Sequence, residues 1–127
     1  MNRKSLTLIE ALAVLCIILI LIGVFAGYAR ITLRVAREVA LRNELNNIRM
    51  SIQHYWVTNS KLPKDLFSLV NQDFTIRSRD GTILTKKYLQ LFRIDEEENL
   101  LDPFLNMYYY SAKEGRVFSG TKGYEGW

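Results

Sequence analysis

The hydrophobic pattern changes character three times along the chain. Residues 11–29 carry no charge, and the only acid of the apolar segment, Glu10, stands near its N-terminal edge after the basic start Met1-Asn2-Arg3-Lys4. A run of about 20 apolar residues crosses a bilayer core of about 30 Å as a helix. From Arg30 the pattern turns amphipathic with no Pro or turn cluster between. Ile31, Val35 and Val39 are four apart, and Leu41, Leu45, Ile48, Ile52 and Tyr55 follow at helical spacing. These positions share one face of a 3.6-residue helix. The two patterns together predict one unbroken helix from about residue 6 to about residue 56, about 75 Å long at 1.5 Å per residue. Residues further along must cover the apolar face of its second half.

The helical period stops at Asn59-Ser60. Pro63 bends the chain and opens a short helix with Asp65 near its N-terminus, and Leu66, Leu69 and Val70 form its apolar face. Phe74-Thr-Ile-Arg and Thr82-Ile-Leu flank Asp80-Gly81, which reads as a short hairpin or an irregular loop. Residues 85–94 fit a helix through Tyr88, Leu91 and Phe92, or a strand by alternation. Asp102-Pro103 and Asn106 make a polar turn before a strand on which Tyr108 and Tyr110 share a face. Lys113-Glu114-Gly115 turns that strand into a partner beginning at Arg116. The expected fold class is α+β: a long N-terminal helix, transmembrane and then amphipathic, packed against a small C-terminal antiparallel sheet.

Composition narrows the chemistry. The 127 residues suit one small domain plus an anchor. Seventeen basic and thirteen acidic residues give +4 and a pI near 9.3, too mild to argue for nucleic acid. The cations and acids at Arg37, Glu38, Arg42, Glu44 and Arg49 read as a solvated, salt-bridged helix face, with Glu38–Arg42 at favourable i,i+4 polarity. Cys16 is the only cysteine and His54 the only histidine, which leaves no disulfide, redox pair or zinc set within the chain. The sequence has no Ser/His/Asp or Cys/His arrangement and no phosphate loop, so it is not read as an enzyme. The run Asp95-Glu96-Glu97-Glu98 lacks the alternating ligands and turn Gly of an EF-hand and reads as a solvated loop.

Glu10 is what an ordinary span leaves unexplained. A carboxylate in hydrocarbon costs at least about 2.5 kcal/mol and marks a function with a partner. A cleaved secretory signal would use Gly27-Tyr28-Ala29 as its small-x-small site, and a plain anchor would keep Arg3 and Lys4 on the cytoplasmic side. Neither gives Glu10 a role, beyond the alternative that it sits near the headgroups and reaches water.

Ser5-Leu6-Thr7-Leu8-Ile9-Glu10 resembles the processing motif of type IV pilins and pseudopilins. In that family a short basic leader ends in a small residue, usually Gly. The mature chain then begins with an apolar residue, often Phe, and carries Glu at its fifth position. Ser5 stands here for Gly, Leu6 for Phe, and Gly27 for a Pro common within the helix. The resemblance implies cleavage between Ser5 and Leu6 by a prepilin peptidase and N-methylation of Leu6. It also implies pairing of that new amine with Glu10 of a neighbouring subunit inside the membrane. Opposite charges in a low-dielectric medium attract strongly and relieve each other's desolvation.

Two further segments resemble one branch, the G-type major pseudopilins of type II secretion systems. Tyr55, Asn59, Leu62-Pro63 and the short helix after them are similar to the branch's Tyr…Asn-Gly-x-Tyr-Pro segment. Asp102, Pro103, Asn106, Tyr108 and Tyr110 match its Asp-Pro-Trp-Gly-Asn-Pro-Tyr-x-Tyr motif, with Phe104, Leu105 and Met107 replacing Trp, Gly and the second Pro. The branch binds calcium in its C-terminal loop. Here the tail offers Glu125 as its one acid, so such a site would depend on main-chain carbonyls and water, and no cofactor is expected.

The resemblance implies a division into a cleaved leader (1–5), an assembly helix (6–29), an amphipathic periplasmic helix (30–58) and a small globular α/β part (59–127). It implies a single-pass inner-membrane protein with a cytoplasmic N-terminus that later joins a periplasmic filament. Its partners would be further copies of itself, minor pseudopilins, an inner-membrane assembly platform and the peptidase. The implied function is mechanical, driving type II secretion by filament growth. A type IV pilus subunit and a simple anchored periplasmic module are the alternatives; the missing C-terminal disulfide argues against the first.

Overall fold

A computed structural model describes residues 7–90 and 92–127. The elements run α1 (Leu8–Asn59), α2 (Phe67–Asn71), β1 (Asp73–Arg77), β2 (Ile83–Lys87), β3 (Arg93–Ile94), β4 (Leu100–Leu101), β5 (Tyr108–Ser111) and β6 (Arg116–Ser119). The class is α+β. Leu6, where the sequence starts the helix, and Leu91 lie outside the described residues.

The chain divides into two compact units, residues 1–36 and 37–127. The described part of the first is the apolar portion of α1. Thr7 accepts the main-chain N–H groups of Glu10 and Ala11 at 3.0 and 3.1 Å, closing the first turn. Its side chains from Leu8 onward stand exposed on every side, and the helix runs through Gly27 without interruption. Among the described residues it is the one stretch long and apolar enough to cross a membrane, and none of its most apolar window is buried.

The second unit is organised on the amphipathic part of α1. Leu41, Leu45, Ile48, Ile52 and Tyr55 are all buried, as their spacing predicts. Leu66 and Leu69 from the α2 region, Tyr88, Leu89, Leu100, Tyr108 and Val117 complete that core. The helix runs three residues past the expected end. Asn59 Nδ2 donates to the Tyr55 carbonyl at 3.1 Å, and Ser60 takes the left-handed conformation (φ 54°) that ends helices. Asp65 then accepts the Ser68 N–H at 2.7 Å, the role expected of an acid at the start of the short helix.

The strands differ from a single small sheet. They form three separate antiparallel ladders, β1–β2, β3–β4 and β5–β6, with one isolated bridge from Leu101 to Met107. Asp80-Gly81 does make a hairpin, with Thr75 opposite Thr85 and Gly81 at φ 85°. Among the described residues of 85–94 there is strand at both ends and no helix: 85–87 finish β2, Tyr88 and Leu89 turn into the core, and Arg93-Ile94 form β3. Pairing with β1 and β4 supplies the partners that alternation alone left open.

Candidate functional site

Glu10 lies in the first turn of α1, where an acid also complements the positive end of the helix dipole. It is exposed, flanked by Leu8 at 88% and Ile9 at 76% exposure, with Leu12, Val14 and Ile17 following along the helix. The first turn therefore presents one carboxylate on an otherwise uncovered apolar surface. Ser5 and Leu6, the expected processing pair, lie outside the described residues. Cys16 is exposed on the same helix.

The Asp102 segment carries the densest polar chemistry of the second unit. Asp102 and Ser119 are fully buried. Asp102 Oδ1 accepts the N–H groups of Phe104 at 2.8 Å and Asn106 at 3.0 Å, which folds residues 102–106 into a tight turn. Asp102 Oδ2 accepts the hydroxyls of Ser119 at 2.6 Å and Thr121 at 2.5 Å, which ties that turn to the end of β6. Asn106 Nδ2 donates to Thr121 Oγ1 at 2.8 Å and closes the ring. A buried carboxylate is tolerated because every oxygen is satisfied. Between the two hydroxyl donors, the Gly120 N–H donates to the Met107 carbonyl at 2.9 Å. A Cβ at Gly120 would stand 2.5 Å from that same oxygen, so the close backbone approach requires glycine.

This set occupies the matching positions Asp102 and Asn106, and its chemistry is structural. Each Asp102 oxygen accepts two hydrogen bonds from protein donors. Elsewhere in the tail, Glu125 Oε2 accepts the Gly123 N–H at 2.8 Å. Among the described residues no group of three His, Cys, Asp or Glu side chains converges. His54, exposed on α1, sets its ring edge-on to Phe74 at 4.4 Å and packs beside Tyr88.

The polar face of α1 departs most from expectation. Glu38, Arg42, Glu44 and Arg49 reach across to the C-terminal segments. Glu44 accepts Arg93 Nη2 at 2.8 Å and the Tyr108 hydroxyl at 2.9 Å. Glu38 accepts the Tyr124 hydroxyl at 2.5 Å, and the Arg42 guanidinium lies 4.6 Å over the Trp127 ring. Arg49 donates to the main-chain oxygens of Val117 and Trp127. The physical reason is proximity: the C-terminal segments that cover the apolar face also bring donors and acceptors to its flanks. Tyr108 and Tyr110 share a face as predicted. Burial, and then the hydrogen bond to Glu44, push the Tyr108 phenol far above its ordinary range. Burial raises Tyr110, whose hydroxyl donates to the Pro63 carbonyl at 2.9 Å.

The acidic run forms the β3–β4 turn. Asp95 accepts the N–H groups of Glu97 at 3.0 Å and Asn99 at 2.8 Å, and the Asn99 bond chiefly holds its carboxyl below the usual range. Glu96, Glu97 and Glu98 face solvent. Sequence reasoning missed Ser119, Thr121 and the tail contacts of Glu38, Arg42 and Arg49. The alternation of Ser119 and Thr121 after a strand was the one available signal for the first two. No family model, curated protein or solved structure matches this chain.

Proposed function

We propose that this chain is a membrane-anchored, filament-forming subunit of the pseudopilin kind, processed between Ser5 and Leu6 and driving protein secretion by assembly. The observation that carries the reading is the apolar half of α1, uncovered along its length with Glu10 as the acid in its first turn. Such a surface needs lipid or neighbouring helices around it. Glu10 then needs a cation at membrane depth, which the freed amine of a processed neighbour supplies. The Asp102–Tyr110 motif supports the G-type branch. The subunit would move from the inner membrane, its globular part periplasmic, into the filament, with no catalytic step of its own.

Two measurements test this. Intact-mass analysis of the protein from its native membrane is expected to show a chain beginning at a methylated Leu6; an intact Met1 would overturn the processing claim. Glu10→Ala is expected to lower filament yield by at least about tenfold while the second unit keeps its fold. Normal assembly by that variant would remove the register role and leave a plain anchored module. Gene neighbours encoding a retraction motor instead of a secretion channel would favour the pilus-subunit alternative.

A further inference from the structure

The β1–β2 ladder is unusual in how little covers it. From Asp73 to Lys87 only Phe74 and Ser78 are even half-buried, and Ile76, Ile83 and Leu84 stand 41%, 64% and 45% exposed. Phe74 anchors one face against His54 and Tyr88. The pleat places Arg77, Ile83 and Lys87 on the opposite face with the Thr75–Thr85 pair. An isolated two-stranded ladder is at best marginally stable in water, so one covered on a single face, and there chiefly at Phe74, gains from a partner.

Its charge says which partner. Arg77, Arg79, Lys86 and Lys87 are exposed, and among the described residues no ion pair engages any of them. Of the arm's two acids, Asp73 sits opposite Lys87, and Asp80 is turned onto the Thr82 N–H at 3.2 Å. The complementary surface is present on the same chain. At the β3–β4 turn Asp95 is bound inward, whereas Glu96, Glu97 and Glu98 are exposed and, among the described residues, equally without a cation. Three adjacent carboxylates repel one another, and a cationic arm relieves that repulsion.

We propose that the β1–β2 arm docks on the β3–β4 turn of a second copy of this chain. Such a contact joins two different surfaces, and each copy offers one arm and one turn, so every copy has a place for two neighbours. The inference deepens the assembly reading above and rests on it, giving the second unit its own specific contact beside that of the apolar helix.

Zero-length carbodiimide cross-linking of the full chain in detergent micelles tests it, because that reagent joins a Lys amine to a touching carboxylate. An equal mixture of 14N- and 15N-labelled protein is expected to give isotopically mixed cross-links from Lys86 or Lys87 to Glu96, Glu97 or Glu98, fading above about 0.5 M salt. Lys86→Glu with Lys87→Glu, or Glu96→Lys with Glu97→Lys, is expected to lower their yield by at least about tenfold, and mixing the two variants to recover it. That recovery separates lost contact from lost fold. Absence of the cross-link, or no recovery on mixing, overturns the docking. Light scattering on the same samples separates the two claims: self-association without this cross-link removes the docking alone, and a wild-type chain that stays monomeric removes the assembly reading with it. If vesicles containing phosphatidylglycerol abolish the wild-type cross-link and bind through Lys86 and Lys87, lipid is the occupant and the proposal falls.

Discussion

Asp102 shows how one side chain can hold a small fold together. Its two oxygens collect two main-chain and two hydroxyl donors, and it is fully buried. Asp102→Ala leaves those donors without acceptors and is expected to cost about 3 kcal/mol, read as a lower midpoint of near-ultraviolet circular dichroism on heating. Gly120→Ala is expected to cost about 2 kcal/mol or more in the same measurement, since the Met107 carbonyl is backbone and cannot step aside. Tyr108 sets a limit at alkaline pH. Its folded pKa is raised above the ordinary 10.0, so its contribution is fully present below pH 10 and is lost as pH rises beyond it. Tyr108→Phe, which has no ionisable group there, is expected to move alkaline unfolding to higher pH, followed by circular dichroism with phenolate absorbance. Asp102 was legible in the sequence as a turn residue. Its burial was not, because Ser119 and Thr121 lie 17 and 19 positions away.

At the scale of elements, α1 was the most legible part of the chain. A single apolar stripe from Leu41 to Tyr55 states both the helix and its buried face, because that face repeats at the helical period. The stripe's earlier members behave differently: Ile31, Val35 and Val39 are 67%, 52% and 55% exposed. Leu45→Ala is therefore expected to cost about 3 kcal/mol in the isolated chain, whereas Val35→Ala should stay within about 0.5 kcal/mol, both by thermal melting. The strands were legible only in part. Turn chemistry at Asp80-Gly81 and 113–115 located two hairpins, but no local pattern says that three ladders stay separate instead of joining. That outcome is decided by contacts distant in sequence.

At the scale of the whole chain, the two units carry different demands. The first exposes an apolar helix long enough to cross a membrane. The second buries a conventional core and fastens it with Glu38, Arg42, Glu44 and Arg49, charges that the sequence offered as a solvated face. Local reading sees i,i+4 partners; it cannot see Tyr124, 86 positions from Glu38. Those fastenings also impose an order of events. Glu44 waits for Tyr108, 64 positions on, and Arg49 for Trp127, 78 positions on. Synthesis runs from the N-terminus, so the stripe Leu41–Tyr55 is made before Leu66, Leu69, Tyr88, Leu100, Tyr108 and Val117, the residues that cover it. Until Tyr108 and Val117 are added, part of that stripe in the growing chain lacks its cover. A chain cut short before Tyr108 would therefore leave part of its stripe uncovered, and is expected to be cleaved by added protease faster than the full chain.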